Sequence, residues 1–105
     1  MNPSNAQSKV ARFVEAHQID ASVEHRLLDL VSELGEAAKA ALKQTDYGRK
    51  EFQPSAEWTD ELGDTLFALI CLANTTGVDL EEALDRVMEK YRDRLDATGD
   101  AGSGR

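Results

Sequence analysis

Hydrophobic residues recur at helical spacing along most of the chain. One face of the segment 4–17 is formed at i, i+3, i+4 and i+7 by Val10, Phe13, Val14 and His17. The segment 21–44 has a longer apolar stripe, formed by Leu27, Leu30, Val31, Leu34, Ala38 and Ala41. Either Asp20 or Ser22 can act as the N-cap of this second segment. The pattern predicts two helices separated by a short break.

Two further helices are predicted after a polar connection at 45–55. The segment 55–75 is apolar nearly all round, with an expected core stripe of Leu62, Leu66, Leu69, Ile70 and Ala73. Such a helix is buried by neighbouring helices or by a partner chain, and Gly77 is placed to end it. The fourth helix begins at a predicted capping box, in which Asp79 caps the helix and Glu82 reaches back to Asp79.

No strand pattern and no internal repeat is visible in the sequence. We therefore predict an all-α protein, an antiparallel helical bundle of about four helices per chain that is completed by oligomerisation. Residues 1–97 are expected to form a single domain, and the small polar residues of 98–105 a disordered tail.

The excess of acidic over basic residues argues against some classes of function. A formal net charge of −8 argues against binding to nucleic acid or to an anionic membrane. The longest apolar run, 66–73, is too short to span a bilayer, and the first ten residues contain no signal-peptide run. The single cysteine, Cys71, is expected in the core and suits a reducing compartment. These features predict a cytoplasmic location and no membrane or nucleic-acid partner.

Two acidic pairs share one spacing, Glu33-Leu-Gly-Glu36 and Glu61-Leu-Gly-Asp64. Residues three apart lie on one face of a helix, and like charges placed there repel each other. Mg²⁺ would compensate them, because it takes oxygen ligands and is commonly shared between carboxylates and phosphates. Two such ions can activate water and neutralise charge on a phosphate. A single pair of this kind is usually a solvated helix face, but two matched pairs beside apolar stripes favour a metal site.

Small residues surround both acidic pairs. Ala37, Ala40 and Ala68 are expected to leave room for a ligand. Gly35 and Gly63 lie inside the pairs although glycine costs a helix ~1 kcal/mol relative to alanine. Close approach of two helices would explain them. The connection 45–55 is long for a helical hairpin, where loops run ~2–8 residues, and this length favours a role such as covering a site.

The residues around these pairs resemble the MazG-like, all-α nucleoside triphosphate pyrophosphohydrolases. The two pairs match the ExxE…ExxD signature of that family, and the similarity continues over 32–39, 60–67, 77–84 and 89–92. The resemblance covers about 23–95 and implies a homodimer or homotetramer. It also implies that Glu33, Glu36, Glu61 and Asp64 are catalytic and bind Mg²⁺, with Mn²⁺ as an alternative. The expected reaction is hydrolysis of nucleoside triphosphates, particularly deoxynucleotides, to monophosphate and pyrophosphate, in nucleotide-pool house-cleaning.

Six further residues are candidates for substrate binding: Lys39, Lys43, Trp58, Asn74, Arg86 and Lys90. The four cationic residues could contact phosphates, but each is as readily a solvated surface cation. Trp58 could stack on a base, or anchor the core or an interface. Asn74 could contact the sugar or base, or cap the end of its helix. Asp93 interrupts the basic run that many relatives carry late in the fourth helix.

Other functions stay open at this point. One is a non-catalytic, acidic helical dimerisation or interaction module, against which the four intact acidic positions count. Another is a related enzyme, a phosphoribosyl-ATP pyrophosphohydrolase or a dimeric dUTPase-like protein, although the short single domain favours the simple MazG-like form. The absence of any Glu-x-x-His sequence argues against a ferritin-like di-iron site.

Overall fold

The computed structural model describes residues 5–99, which form four α-helices and no strand. These are α1 (Asn5–His17), α2 (Val23–Gln44), α3 (Ala56–Thr76) and α4 (Leu80–Thr98). The predicted all-α class is confirmed, and the helix ends lie within two residues of the predicted ones. The predicted start of the first helix at Ser4 and most of the expected tail, 100–105, lie outside the described residues. No helix within 5–99 has the length and hydropathy needed to cross a bilayer.

Side-chain caps fix where the helices begin. Ser22 and Ser55 each accept a hydrogen bond from a backbone N–H in the first turn of α2 and α3, and Asp79 does so twice in α4. The predicted capping box is only half formed, because Glu82 makes no return hydrogen bond to Asp79 in the described part of the chain. Gly77 ends α3 in the left-handed conformation (φ 72°), as predicted.

The core lies where α3 packs against α2 and α1. Its buried apolar residues are Ala37, Ala68, Ile70, Cys71 and Ala73. The predicted core stripe of α3 was therefore wrong in part, since Leu62, Leu66 and Leu69 are 49%, 52% and 38% exposed. Small side chains let the helix backbones approach closely, so α3 turns its alanine-rich face to α2 and α1 and leaves its leucines uncovered.

One buried glutamine joins α1 to the far end of α3 and the start of α4. Gln7 is 2% exposed, and its Nε2 donates to Asn74 Oδ1 (3.0 Å) and to the Val78 carbonyl (2.8 Å). Its Oε1 accepts from the Leu80 N–H (2.8 Å), while Asn74 Nδ2 donates to the Gln7 carbonyl (3.1 Å). Leu80 opens α4, so this network ties three helices together at one point.

The rest of α4 stands away from the core. None of its described residues is buried, and Leu84, Met88 and Leu95 are all exposed. The radius of gyration is 16.8 Å, against about 13 Å for a compact domain of this length. The single chain is consequently an open structure with large uncovered apolar faces.

The two glycines inside the acidic pairs do not mark a close helix contact within the chain. A Cβ added at Gly35 or Gly63 would meet nothing within 4 Å. The prediction of close helix–helix approach at these positions was wrong for the single chain, because α2 and α3 meet through alanines on a neighbouring face.

Candidate active site on the α2–α3 hairpin

Four carboxylates lie on facing parts of the α2–α3 hairpin. Glu33 and Glu36 are on α2, and Glu61 and Asp64 are on α3. Glu33 and Glu61 are partly buried, whereas Glu36 and Asp64 are exposed. Within 5–99, no lysine, arginine or histidine forms an ion pair with any of the four. The negative charge of the cluster is therefore uncompensated by the described residues.

The pKa of Glu61 reflects both the desolvation of its carboxyl and the repulsion between the carboxylates of the cluster. The pKa of Glu61 is raised above its ordinary value of 4.5, first by desolvation of the carboxyl and then by the charges of Asp64, Glu36 and Glu33. The contributions of Glu36 and Glu33 come from the other helix. The two acidic pairs are thus close enough to interact across the hairpin.

The side chains are not gathered around a single point. Among the described residues, no three His, Cys, Asp or Glu side chains are placed so that they could hold one metal ion. The roles of Glu33, Glu36, Glu61 and Asp64 as metal ligands and catalytic groups accordingly stay predictions.

A cleft of about 330 Å³ runs from the carboxylates toward the start of α2. It is lined by Arg26, Asp29, Ser32, Glu33, Asp64, Phe67 and Ala68. Ala68 borders the cleft as well as the helix contact, whereas Ala37 is buried in the contact and leaves no room for a ligand. The cleft offers one aromatic face, two carboxylates of the cluster and one arginine.

That arginine was missed by the sequence analysis. Arg26 is only 8% exposed, its Nη2 donates to the Ile19 carbonyl, and its Nε is shielded from solvent without a hydrogen-bond partner. From sequence alone, a single arginine in the first turns of a helix is expected to be an exposed surface cation. The available signal was its position seven residues before Glu33, on the same helical face.

The predicted phosphate-binding cations lie apart from the carboxylates or at the surface. Lys39 and Lys43 are exposed on α2 and form no ion pair within 5–99. Arg86 and Lys90 line a separate cleft formed by α4 alone, where the Lys90 Nζ lies 5.6 Å from the centroid of the Tyr91 ring. The single chain does not bring the α4 cations to the carboxylates.

The other two candidates are held by contacts within the chain. Trp58 is partly buried and packs edge-on against Phe52, with ring centroids 5.1 Å apart. The Oδ1 of Asn74 accepts a hydrogen bond from the Gln7 side chain, and its Nδ2 donates one to the Gln7 backbone carbonyl. These contacts support the structural alternatives for both residues, and their substrate roles stay predictions.

The connection 45–55 folds back on the end of α2. The Gln44 side chain donates to the Gln53 carbonyl and accepts from the Gln53 N–H (2.8 Å), so that it closes the loop. Asp46 and Tyr47 adopt positive φ angles beside Gly48. A covering role for this loop stays a prediction.

Comparison with known proteins agrees with this architecture. Residues 21–98 match the MazG nucleotide pyrophosphohydrolase domain. A 68-residue segment is 43% identical to YpjD of Bacillus subtilis (strain 168), an uncharacterized protein, and covers 62% of this chain and 60% of that relative. The crystal structure of YpjD from Bacillus subtilis, provisionally called a pyrophosphatase, superposes with a TM-score of 0.70 at 34% identity. That superposition covers 87% of this chain and 93% of the other. The resemblance drawn from the two acidic pairs is thereby confirmed, and the chain belongs to the MazG nucleotide pyrophosphohydrolase family.

Proposed function

We propose that this protein hydrolyses nucleoside triphosphates, with deoxynucleotides preferred, to the monophosphate and pyrophosphate. The observation that carries the proposal is the uncompensated cluster of Glu33, Glu36, Glu61 and Asp64 across the α2–α3 hairpin. Family membership supports the reaction type. Removal of unwanted nucleotides from the cellular pool is the role that fits this reaction.

The chemistry of the cluster suits a hard divalent cation. Its donors are carboxylate oxygens, with no thiolate or imidazole among them, and this set favours Mg²⁺ or Mn²⁺ over softer metals. The residues that would hold the metal are Glu33, Glu36, Glu61 and Asp64. Side-chain rotations have to draw them together, and the positive charge of the metal would compensate the repulsion that this approach increases. When bound, the metal supplies positive charge to the phosphates and lowers the pKa of bound water.

The remaining chemistry belongs to side chains of the cleft. One of the four carboxylates, or a neighbour, orients the attacking water and accepts its proton. The water oxygen bonds to the α-phosphorus while the bond from that phosphorus to the bridging oxygen breaks. Pyrophosphate leaves with the bridging oxygen, and the nucleoside monophosphate stays with the oxygen from water.

We also propose that a second copy of the chain covers the open apolar faces. Leu62, Leu66 and Leu69 on α3 and Leu84 and Met88 on α4 are exposed in the single chain. Burying one such side chain fully contributes about 1.5–3 kcal/mol. A homodimer, or a homotetramer built from it, would bury these residues at small entropic cost per residue because the helices already exist.

The test is pyrophosphate release from a panel of canonical and modified nucleoside triphosphates, phosphoribosyl-ATP included, with Mg²⁺ and with a chelator. We expect release that requires the metal and falls by about 100-fold or more in Glu36→Gln and Asp64→Asn. Glu24→Gln is the matched control, since Glu24 is exposed on α2 outside the cluster. Its activity should equal that of the unmodified chain.

Two outcomes would overturn the proposal. Release from phosphoribosyl-ATP alone would assign the chain to that related activity. A folded protein that releases no pyrophosphate and binds no Mg²⁺ would instead be the non-catalytic dimerisation module.

A further inference from the structure

A second, larger cleft adjoins the carboxylate cleft and shares one wall with it. It encloses about 390 Å³ between α1, the α1–α2 connection and the end of α3. Its lining residues are Ala11, Val14, Glu15, Asp20, Ala21, Arg26, Cys71, Asn74 and Thr75. Arg26 lines both clefts. Along α2 it lies seven residues from Glu33, a rise of about 10 Å, which is comparable with the length of a nucleoside.

The Arg26 guanidinium has fewer hydrogen-bond acceptors than it has donors. It is more than nine-tenths buried, it forms no ion pair within 5–99, and its one hydrogen bond there is from Nη2 to the Ile19 carbonyl. Its Nε has no partner. A buried charge without acceptors is costly, and a ligand that supplies them is correspondingly favoured.

The surroundings of Arg26 disfavour a phosphate as that ligand. Glu15 and Asp20 line the same cleft, so its charged groups are two carboxylates and one guanidinium. Its remaining walls include the small or apolar side chains of Ala11, Val14, Ala21 and Cys71. Apolar walls with a few convergent polar groups suit a flat, uncharged ring that has both donors and acceptors.

Guanine has the matching pattern. Its O6 and N7 accept hydrogen bonds, most characteristically from arginine, and its 2-amino group donates. Asp20 directly follows Ile19, whose carbonyl accepts a hydrogen bond from Arg26, so the guanidinium is tied to the segment that carries the exposed Asp20 side chain. Asn74 is not available for the base, because both ends of its side chain are bonded to Gln7.

We propose that the larger cleft binds the guanine base of the substrate, with Arg26 donating to O6 and N7 and Asp20 accepting from N1–H and the 2-amino group. This inference rests on the proposed function. The nucleoside would span the stretch from Arg26 to Glu33, and the phosphates would lie at the carboxylate cluster. The preferred substrate would then be dGTP.

The first test uses the unmodified chain and altered bases, so no variant has to fold. We expect kcat/KM for dGTP to exceed that for dATP by roughly 10- to 100-fold, the size of discrimination by one bidentate pair. Substitution of N7 by carbon in 7-deaza-dGTP should lower kcat/KM, and loss of the 2-amino group in dITP should do the same. Equal rates for dGTP, dATP and 7-deaza-dGTP would overturn the inference.

The second test assigns the contacts to the two residues. Asp20→Asn should weaken the preference for dGTP over dITP, because the amide accepts through one oxygen and carries no charge, and Arg26→Gln should likewise weaken that for dGTP over 7-deaza-dGTP. Arg12→Gln, at an exposed position of α1, is the control. If Arg26→Gln lowers the rates for all nucleotides equally, Arg26 contacts phosphate and the inference fails.

Binding of nucleoside monophosphates in the presence of a chelator separates this inference from the proposed function. Calorimetry should show GMP binding more tightly than AMP. Preferential GMP binding without any pyrophosphate release would overturn the proposed function but support the guanine site. Pyrophosphate release without a preference for guanine would do the reverse.

Discussion

The α2–α3 hairpin and α4 both carry large apolar side chains but differ in how far the chain itself covers them. The hairpin packs through alanines, with Ala37 and Ala68 buried between its helices, and it presents the carboxylate cluster on a neighbouring face. In contrast, α4 has no buried residue and is held at its start by Gln7. The difference indicates that small residues build the chain's own core, while the larger leucine faces stay exposed in the single chain, where the proposed second copy would cover them.

The largest effect is expected from charging the α4 face. Replacing both Leu84 and Met88 by lysine should prevent burial of that face and convert the proposed dimer to a monomer, measured by light scattering after size exclusion. Asp85→Lys, at an exposed polar position between them, should leave the mass unchanged. If the unmodified chain is itself a monomer, no second copy covers the apolar face of α4 and the proposal is wrong.

A smaller effect, a loss of stability, should follow when the hydrogen bonds between α1 and the start of α4 are removed. Gln7→Ala removes the side-chain partner of the Leu80 N–H, the Val78 carbonyl and Asn74 Oδ1, and unsatisfied buried groups cost about 1–3 kcal/mol each. We expect the free energy of unfolding in urea to fall by about 2–3 kcal/mol. Lys9→Ala, exposed on the same helix, should change it little. Equal stability of both variants would mean that α4 is held by other contacts.

Alanine at the two hairpin glycines tests whether their faces are free in the assembly. In the single chain nothing lies within 4 Å of the added Cβ, so Gly35→Ala and Gly63→Ala should each stabilise the helix by about 1 kcal/mol. Thermal unfolding and pyrophosphate release should be measured together. A fall in Tm would show that a second chain approaches these positions, and a loss of activity alone would place the substrate there.

The smallest effect concerns pH and the charge of Glu61. Because the pKa of Glu61 is raised in the folded chain, its carboxyl favours folding below the ordinary value of 4.5. That contribution is lost as the pH rises through the raised pKa. Glu61→Gln cannot ionise, so in a chelator its Tm relative to the unmodified chain should increase as the pH rises from about 4 through the raised pKa. Mg²⁺ should shrink the difference by compensating the repulsion.

The sequence by itself determined the helices and the identity of the acidic pairs. Periodicity and local signals such as the cap Asp79 and the terminating Gly77 placed the helix ends, because these are local properties of the chain. The pairs Glu33/Glu36 and Glu61/Asp64 could be found because residues three apart share a face on any helix.

Which face each helix buries was decided only by the tertiary structure. Periodicity identifies an apolar side but not its partner, so Leu66 and Leu69 were assigned to a core that Ala68 fills together with the correctly predicted Ile70 and Ala73. Arg26 and Gln7 were missed for the same reason. Their burial depends on residues far along the chain, such as Cys71 beside Arg26 and Asn74 beside Gln7, and no local pattern encodes contacts across that separation.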